Sequence, residues 1–286
     1  MFECLALETY LPLFSLSYPE TLGIYLSHTL PSPRSLLGVL ARGLGILFGL
    51  GSEQPIQKGL NARIALTWSV ECSSYVLVRP LTPLTKSLQM LRVIKLEMSR
   101  KGEKPAHDAM KWEIVSLSRL KVYYFIDTEL LNQLLKRHFN REIQIEDLER
   151  ALWLLERIGN SESLASPIRV NRLNFRPLGE EGEVYTYTPI SWLKEFHEGV
   201  KENMLVHLAL QRIDPFENPA DVFIKRRKKL RWAKKSFLLP LVMKQWGRLF
   251  EWYEPKPITV KVAEGFLLIE TEDGSKHVLP TELVEG

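Results

Sequence analysis

The sequence contains few cysteines and no long uninterrupted apolar run. Only Cys4 and Cys72 occur among its 286 residues, too few for a disulfide framework or a four-cysteine zinc site. The longest apolar run, residues 36–50, is about 15 residues long and contains Arg42, so it is too short and too charged to span a bilayer. No basic segment followed by an apolar core opens the chain. We therefore expect a cytoplasmic protein.

The motifs of common catalytic sites are also missing. There is no GxxxxGK[ST] loop, no GxGxxG after a strand, no HExxH and no GxSxG, which disfavours nucleotide hydrolysis and α/β-hydrolase chemistry. The six histidines are scattered along the chain, and none pairs with a second ligand at the helical spacing that a metal site would use. We therefore predict no metal and no cofactor.

The positive charge is unevenly distributed. Hydrophobic residues make up 45% and charged residues 25% of the chain, with a net charge of +4, which is typical of a folded globular protein. Residues 225–235, KRRKKLRWAKK, contain eight basic residues among eleven. Trp232 interrupts this basic tract, and basic residues interleaved with aromatic ones indicate a nucleic-acid contact. A solvated helix face or an acidic partner surface remains an alternative.

Residues 30–50, LPSPRSLLGVLARGLGILFGL, predict a helix with a well-defined start. Ser32 can cap free N–H groups and Pro33 fits the first helical position. The helix contains Gly38, Gly43, Gly45 and Gly49, and each glycine costs a helix interior about 1 kcal/mol relative to alanine. Four glycines predict that a strand or a nucleic-acid backbone packs very close, although a plain core helix would also fit.

The elements that follow predict a ferredoxin-like fold. Residues 2–10 read as a first strand, strict alternation over 61–72 predicts a second, and residues 75–78 continue it or turn back beside it. Two β-capable arms within about 80–117 flank a charged tip and predict a basic hairpin. Residues 119–126 are predicted as the third strand. Two helices follow, one capped by Asp127 or Thr128 and another over 146–158. Residues 168–175 are predicted as the fourth strand. The order β-α-β-β-α-β over residues 1–178 is that of a ferredoxin-like fold.

Two further interpretations concern the third strand and the C-terminal part. One face of the third strand carries Arg119, Lys121, Tyr123 and Phe125, which would suit either RNA stacking or cover by another element. Residues 179–286 predict a smaller mixed region, with a helix around 192–210 and a final β-meander that turns at Glu264–Gly265 and Asp273–Gly274.

The opening of the chain resembles the Cas-five family of RAMP-type CRISPR-associated proteins. The resemblance rests on a short first strand, a loop, and a Pro-Ser-Pro turn that runs into Leu-Leu-Gly-Val-Leu-Ala and Gly-Leu-Gly. It implies an RRM-like (ferredoxin-like) domain with a protruding β-hairpin thumb, with the archaeal I-A form as one candidate subtype. It also implies a non-enzymatic subunit of a Type I (Cascade) surveillance complex that holds the 5′ handle of the crRNA in antiviral defence. The implied partners are the crRNA, target DNA within the complex, Cas-seven-family backbone subunits and the large subunit, with no membrane.

The candidate RNA-binding residues lie at the start of the opening helix, in the hairpin and in the basic tract. They are Arg34, Ser35, Arg92, Lys95, Arg100, Lys101, Lys104, Lys111, Arg226, Arg227, Lys228, Arg231 and Trp232.

Two alternatives to this function stay open at the level of sequence. One is a metal-independent endoribonuclease that processes the CRISPR repeat, with His107, Lys104 and Lys111 near a tyrosine of the third strand, Tyr123 or Tyr124. The other is a basic RNA-associated scaffold protein unrelated to CRISPR. We predict no catalytic residues, because none of these groups has the spacing of an adjacent lysine–histidine pair.

Overall fold

The computed structural model describes most of the chain. The described residues are 2–16, 24–25, 27–57, 59–95, 106–159, 163–196, 201–206, 214–219, 234–246 and 250–285. Within them the protein is a mixed α/β structure that is rich in strands, and almost all strand pairs are antiparallel.

Helices and strands alternate in the first half of the chain, and strands dominate the second. The helices are α1 (Pro33–Leu47), α2 (Ala62–Ser73), α3 (Thr128–Phe139), α4 (Ile145–Trp153) and α5 (Glu282–Glu285), with a 3-10 turn at Ile190–Trp192. The strands of the first half are β1 (Phe2–Tyr10), β2 (Leu13–Phe14), β3 (Ile24–Tyr25), β4 (Pro55–Gln57), β5 (Leu60–Asn61), β6 (Ser74–Pro80), β7 (Leu84–Lys95), β8 (Ala106–Leu117), β9 (Arg119–Asp127) and β10 (Ser166–Leu173). The strands of the second half are β11 (Phe175–Gly179), β12 (Glu181–Val184), β13 (Thr188–Pro189), β14 (Leu193–Phe196), β15 (Lys201–Val206), β16 (Lys234–Leu239), β17 (Leu241–Trp246), β18 (Phe250–Pro255), β19 (Ile258–Val262), β20 (Phe266–Thr271) and β21 (Lys276–Pro280).

The central sheet has four antiparallel strands in the order β10-β1-β9-β6. Along the chain, two helices follow its first strand and two follow its third, and the β7–β8 pair lies between β6 and β9. One face of the sheet packs on α1, where the Tyr124 hydroxyl donates to the carbonyl of Leu36 at 3.1 Å. The predicted first strand at residues 2–10 is confirmed, and the fourth begins two residues earlier than predicted.

Helix α1 begins where the sequence predicts. The Ser32 hydroxyl accepts from the backbone N–H of Ser35, and Pro33 is the first helical residue. The glycines serve different purposes. A Cβ on Gly43 would overlap the backbone of Ala151 in α4, and a Cβ on Gly45 would lie 3.2 Å from Leu66 of α2. The close approach is therefore real at Gly43, but the partner is a helix and not the predicted strand or nucleic-acid backbone.

The alternating segment 61–72 is a helix, α2, so the predicted strand is wrong. Its apolar residues also satisfy the helical spacing, since Ala62, Ala65, Leu66 and Val70 are all buried. The Asn61 side chain decides between the two periods, because its Oδ1 accepts from the backbone N–H of Ile64 at 3.0 Å and caps the helix. The actual second strand, β6, begins directly after this helix.

Strands β7 and β8 correspond to the two predicted arms within 80–117. They pair over twelve positions, from Leu84 opposite Leu117 to Lys95 opposite Ala106. The tip between them, residues 96–105, lies outside the described residues. Strands β17, β18 and β2 extend the pair into a larger sheet in the order β17-β18-β7-β8-β2, and β3 joins β8 in parallel.

The C-terminal part differs from the prediction in two ways. In place of the predicted helix at 192–210, the described residues form the 3-10 turn, β14 and β15, because β14 pairs with β19 and β15 with β16. The predicted turns are present, with positive φ at Gly265 and Gly274. The prediction of a single β-meander is wrong, however, because the strands belong to two sheets. Strand β19 pairs with β12 and β14, while β20 pairs with β11 and β21.

The buried core joins residues from both ends of the chain. Leu5 of β1 belongs to the same buried cluster as Phe237, Ile269 and Leu279. Helix α4 ends at Trp153, five residues before the predicted end at residue 158. The predicted boundary between residues 1–178 and 179–286 stays a prediction.

Candidate nucleic-acid interface

The sheet that contains the hairpin has one solvent-facing side with exposed apolar side chains. Directly opposite residues on its five strands lie on the same face of an antiparallel sheet. In one such row every residue is exposed to solvent: Leu13, Ser116, Thr85, Trp252 and Gln245. The row places the indole ring of Trp252 between two polar residues, Thr85 and Gln245.

A second aromatic residue lies two positions away on the same strand. Phe250 pairs with Ser87 and is 42% exposed, while Trp252 is 37% exposed. The intervening residue points to the other face, where Tyr253 is buried and Lys86 pairs with Glu113 at 2.8 Å. The outer face therefore presents two aromatic rings that lie two residues apart on one strand, and unpaired bases can stack on such rings.

The sequence of the hairpin adds positive charge to this sheet. Residues 84–117 contain seven lysine or arginine residues and four acidic residues, a net charge of +3. Phosphate groups are attracted to such a surface without fixed geometry, because long basic side chains can reach them from several positions. Aromatic rings next to a net positive hairpin suit single-stranded nucleic acid better than they suit an apolar protein partner.

The predicted binding residues of the hairpin and the basic tract are only partly described. Arg92 and Lys95 lie in β7 and Lys111 in β8, where the backbone is described. The remaining predicted residues of these two segments lie outside the described residues: Arg100, Lys101, Lys104, Arg226, Arg227, Lys228, Arg231 and Trp232. Their role stays a prediction.

The residues at the start of α1 have partners within the chain. Arg34 Nε lies 3.1 Å from Glu71 Oε1, and burial raises the pKa of that carboxyl to about 7 against the opposing effect of Arg34. The contact is an ion pair and not a well-aligned hydrogen bond, since both Glu71 oxygens are buried with no hydrogen-bond partner among the described residues. Ser35 Oγ lies 2.9 Å from the capping Ser32 hydroxyl. A phosphate at this site would have to compete with Glu71 for Arg34.

The face of β9 that suited RNA stacking is covered, so that interpretation is wrong. Tyr123 and Phe125 are fully buried. The ring of His277 from β21 lies 4.3 Å from the Tyr123 ring, and Phe175 packs edge-on against Phe125 at 5.7 Å. The other alternative, cover by another element, is confirmed, because the C-terminal strands occupy this side of the central sheet.

A polar network that is buried except at Asp273 and Lys121 fastens these C-terminal strands to the sheet. The Tyr123 hydroxyl donates to Asp273 Oδ2 at 2.8 Å, and Lys121 forms an ion pair with the same carboxylate. Hydrogen bonds from Lys121, Thr271 and Tyr123 outweigh desolvation and hold the pKa of Asp273 well below its usual value. His277 is fully buried between Thr186 and Thr271, and desolvation lowers its pKa to about 3. The imidazole is therefore neutral at physiological pH.

Sequence reasoning missed Phe250 and Trp252. The only local signal is the alternation Phe-Glu-Trp-Tyr-Glu over residues 250–254, which is typical of a strand with one exposed aromatic face. The exposed row becomes visible only when β18 pairs with β7, because Trp252 and Leu13 are far apart in the chain.

The described part of the chain lacks two kinds of feature. No group of three His, Cys, Asp or Glu side chains in these residues is placed to hold a metal ion. Among the same residues, no helix has the length and apolar character needed to cross a membrane.

Solved structures that are similar to this chain include two with low sequence identity. One is described as the crystal structure of a CRISPR protein from Archaeoglobus fulgidus; it is 13% identical, with a TM-score of 0.49, over 98% of this chain and 99% of that one. The other is described as a CRISPR RNA-guided surveillance complex; it is 9% identical, with a TM-score of 0.37, over 99% of this chain and 93% of that one. No family model matches the sequence, and neither does any curated protein.

Proposed function

We propose that this protein is a non-enzymatic RNA-binding subunit of a Type I CRISPR surveillance complex and that it holds the 5′ handle of the crRNA. The observation that carries the proposal is the hairpin sheet, where exposed Trp252 and Phe250 lie beside a net positive β7–β8 pair. Rings for base stacking and cations for phosphates are the two components of single-strand recognition.

The arrangement of the central sheet supports the proposal at the level of fold. Strand order β10-β1-β9-β6 with two helical crossovers is the arrangement expected of a ferredoxin-like, or RRM-like, domain. The β7–β8 pair lies between its second and third strands, where the resemblance to the Cas-five family implies a thumb. We therefore assign β7 and β8 to the thumb and place the RNA on the hairpin sheet, since the usual stacking face of the central sheet is covered.

The partners that we propose are those that the resemblance to the Cas-five family implies. They are the crRNA, target DNA within the complex, the Cas-seven-family backbone subunits and the large subunit. The proposed place of action is the cytoplasm.

The endoribonuclease alternative is less well supported by the geometry. A general acid or base must reach the scissile phosphate, yet Tyr123 and Tyr124 are both fully buried. The hydroxyl of Tyr124 is further occupied by the carbonyl of Leu36. Neither tyrosine can therefore act on RNA without unfolding of the central sheet, which favours binding over cleavage.

Purification of the protein from CRISPR-containing cells, followed by sequencing of the bound RNA, tests the proposal. We expect enrichment of RNAs that begin with the repeat-derived handle. Bound RNA with no handle sequence would favour the basic scaffold, and repeat RNA cleaved by the purified protein without metal would favour the endoribonuclease.

A further inference from the structure

A small pocket lies where the central sheet meets the base of the hairpin. Its volume is about 160 Å³, and its walls are four proline rings, Leu81, the Tyr185 ring and the side chains of Arg79 and Lys256. Lys256 is exposed, and its backbone N–H donates to the carbonyl of Pro240 at 2.9 Å, which joins two sides of the wall. Each proline has a fixed φ angle, which restricts the backbone at four positions of the wall.

The guanidinium of Arg79 is held in place on two sides. Its Nη1 donates to Ser275 Oγ at 2.7 Å, and its central carbon lies 4.6 Å from the centre of the Tyr185 ring. Ser275 Oγ in turn lies 2.7 Å from the Tyr123 hydroxyl. Arg79 is thus fixed by the same polar network that fastens the C-terminal strands to the central sheet.

The charge of Arg79 is not neutralised by this network. Asp273, the carboxylate in the network, pairs with Lys121, and Arg79 has no carboxylate partner within the described ranges. An arginine has five N–H donors in a planar fork, and Ser275 uses one of them. The pocket therefore combines an immobilised guanidinium that has spare donors with a second cation, Lys256, and apolar walls.

We propose that this pocket binds a backbone phosphate of the RNA strand, an inference that rests on the proposed function. A planar guanidinium with two free donors matches the oxygens of a phosphate, and the contact is stronger because both groups are charged. The pocket also adjoins the end of the strand that carries the exposed rings, because β18 contains Phe250 and Trp252 and ends at Pro255, which lines the pocket. Three residues lie between Trp252 and Lys256, and an extended chain spans at most about 13 Å over that distance, so one RNA strand can stack on the ring and place a phosphate in the pocket.

Arg79→Gln and Lys256→Ala test the site in the full-length protein. Glutamine keeps a donor for Ser275 but removes the charge, and Lys256 is exposed, so its truncation leaves the fold intact. Lys136→Ala is the matched control, because Lys136 is exposed on α3 and pairs there with Glu142. We expect each pocket variant to lose about tenfold in RNA affinity and to reduce the slope of log K against log salt by about 0.7, the value for one single-strand phosphate. The control should keep the wild-type slope.

A second measurement distinguishes a failure of the phosphate site from a failure of the proposed function. The thermal midpoint of each variant is measured in inorganic phosphate and in chloride at equal ionic strength; the wild-type midpoint should rise in phosphate and those of the pocket variants should not. Two results would refute the phosphate site. One is RNA binding by both variants with an unchanged slope of log K against log salt, and the other is a wild-type thermal midpoint that does not rise in phosphate. If phosphate stabilises the wild-type protein but the protein binds no RNA, the proposed function is wrong, and so is the proposal that the bound phosphate belongs to RNA. Competition by uridine monophosphate as strong as that by RNA would assign the pocket to a free nucleotide instead.

Discussion

Gly43 of α1 lies directly against the backbone of Ala151 in α4. A Cβ on Gly43 would stand 2.7 Å from the carbonyl carbon of Ala151 and 2.9 Å from its Cα, distances that real Cβ atoms do not show. Both atoms belong to a helix backbone, which cannot move aside as a flexible side chain can. The pairing of α1 with α4 therefore depends on the absence of a side chain at this position.

Gly43→Ala should destabilise the protein. Overpacking of a tight helix contact costs about 1–3 kcal/mol, which exceeds the helix propensity that alanine gains. Gly38→Ala is the control, since Gly38 lies in the same helix with nothing within 4 Å of its Cβ position; it should be neutral or stabilise by up to about 1 kcal/mol. Urea unfolding midpoints measure both, and equal midpoints for the two variants would refute close packing at Gly43.

Trp252→Ala should weaken RNA binding without unfolding the protein. Stacking of one base on an aromatic side chain contributes about 1–3 kcal/mol, so the affinity should fall at least about fivefold. Trp153→Ala serves as the control, because Trp153 is 49% exposed and lies on α4, which is not an element of the hairpin sheet. Fluorescence anisotropy with a short single-stranded RNA measures both affinities. If Trp252→Ala bound RNA as the wild type does, the exposed row would have no part in base stacking.

His277 should make the protein less stable in acid. Its pKa falls from the usual 6.5 to about 3 in the folded state because burial disfavours the charged imidazole. The unfolded state thus binds the proton first as the pH drops, and stability should be lost below pH 6.5 by about 1.4 kcal/mol per pH unit from this group. His277→Gln should flatten the dependence of unfolding free energy between pH 7 and 5. His138→Gln, at a half-buried position, should flatten it much less, and an equal effect of the two would argue against neutral His277.

The hairpin should act through the charge of its tip and not through His107, which lies in β8 opposite Ile94. Reversal of Arg100 and Lys101 to glutamate should weaken RNA binding strongly, because it replaces two phosphate contacts with repulsion. His107→Ala should change the affinity little. Metal-free cleavage of repeat RNA by the purified protein, lost in His107→Ala, would reverse this assignment and make the protein an endoribonuclease.

Local signals in the sequence were reliable where a single side chain fixes the backbone. Ser32 and Pro33 define the start of α1, and the Asp127 side chain accepts from the N–H groups of Glu129 and Leu130 at the start of α3. Residues 61–72 mislead because their apolar residues fit both the strand period and the helix period. The cap that decides between the two is Asn61, which the alternation alone places in a strand.

Features that depend on distant partners could not be predicted in the same way. Tyr123 and Phe125 have the composition of an RNA-stacking face, and only the packing of β21 and β11 shows that they are covered. Conversely, Phe250 and Trp252 become a surface only when β18 joins β7. The pocket around Arg79 likewise needs Ser275, which is 196 residues away in the sequence.

Binding of handle RNA as a function of salt tests the central claim most directly. Filter binding of the full-length protein is measured with RNA that carries the repeat-derived handle and with a scrambled RNA of equal length, from about 50 to about 200 mM salt. We predict a clear preference for the handle at every salt concentration and an affinity that falls steeply as salt rises, because phosphates are neutralised by lysine and arginine. A flat salt response, or equal affinity for the two RNAs, would contradict the proposal that this protein holds the crRNA handle.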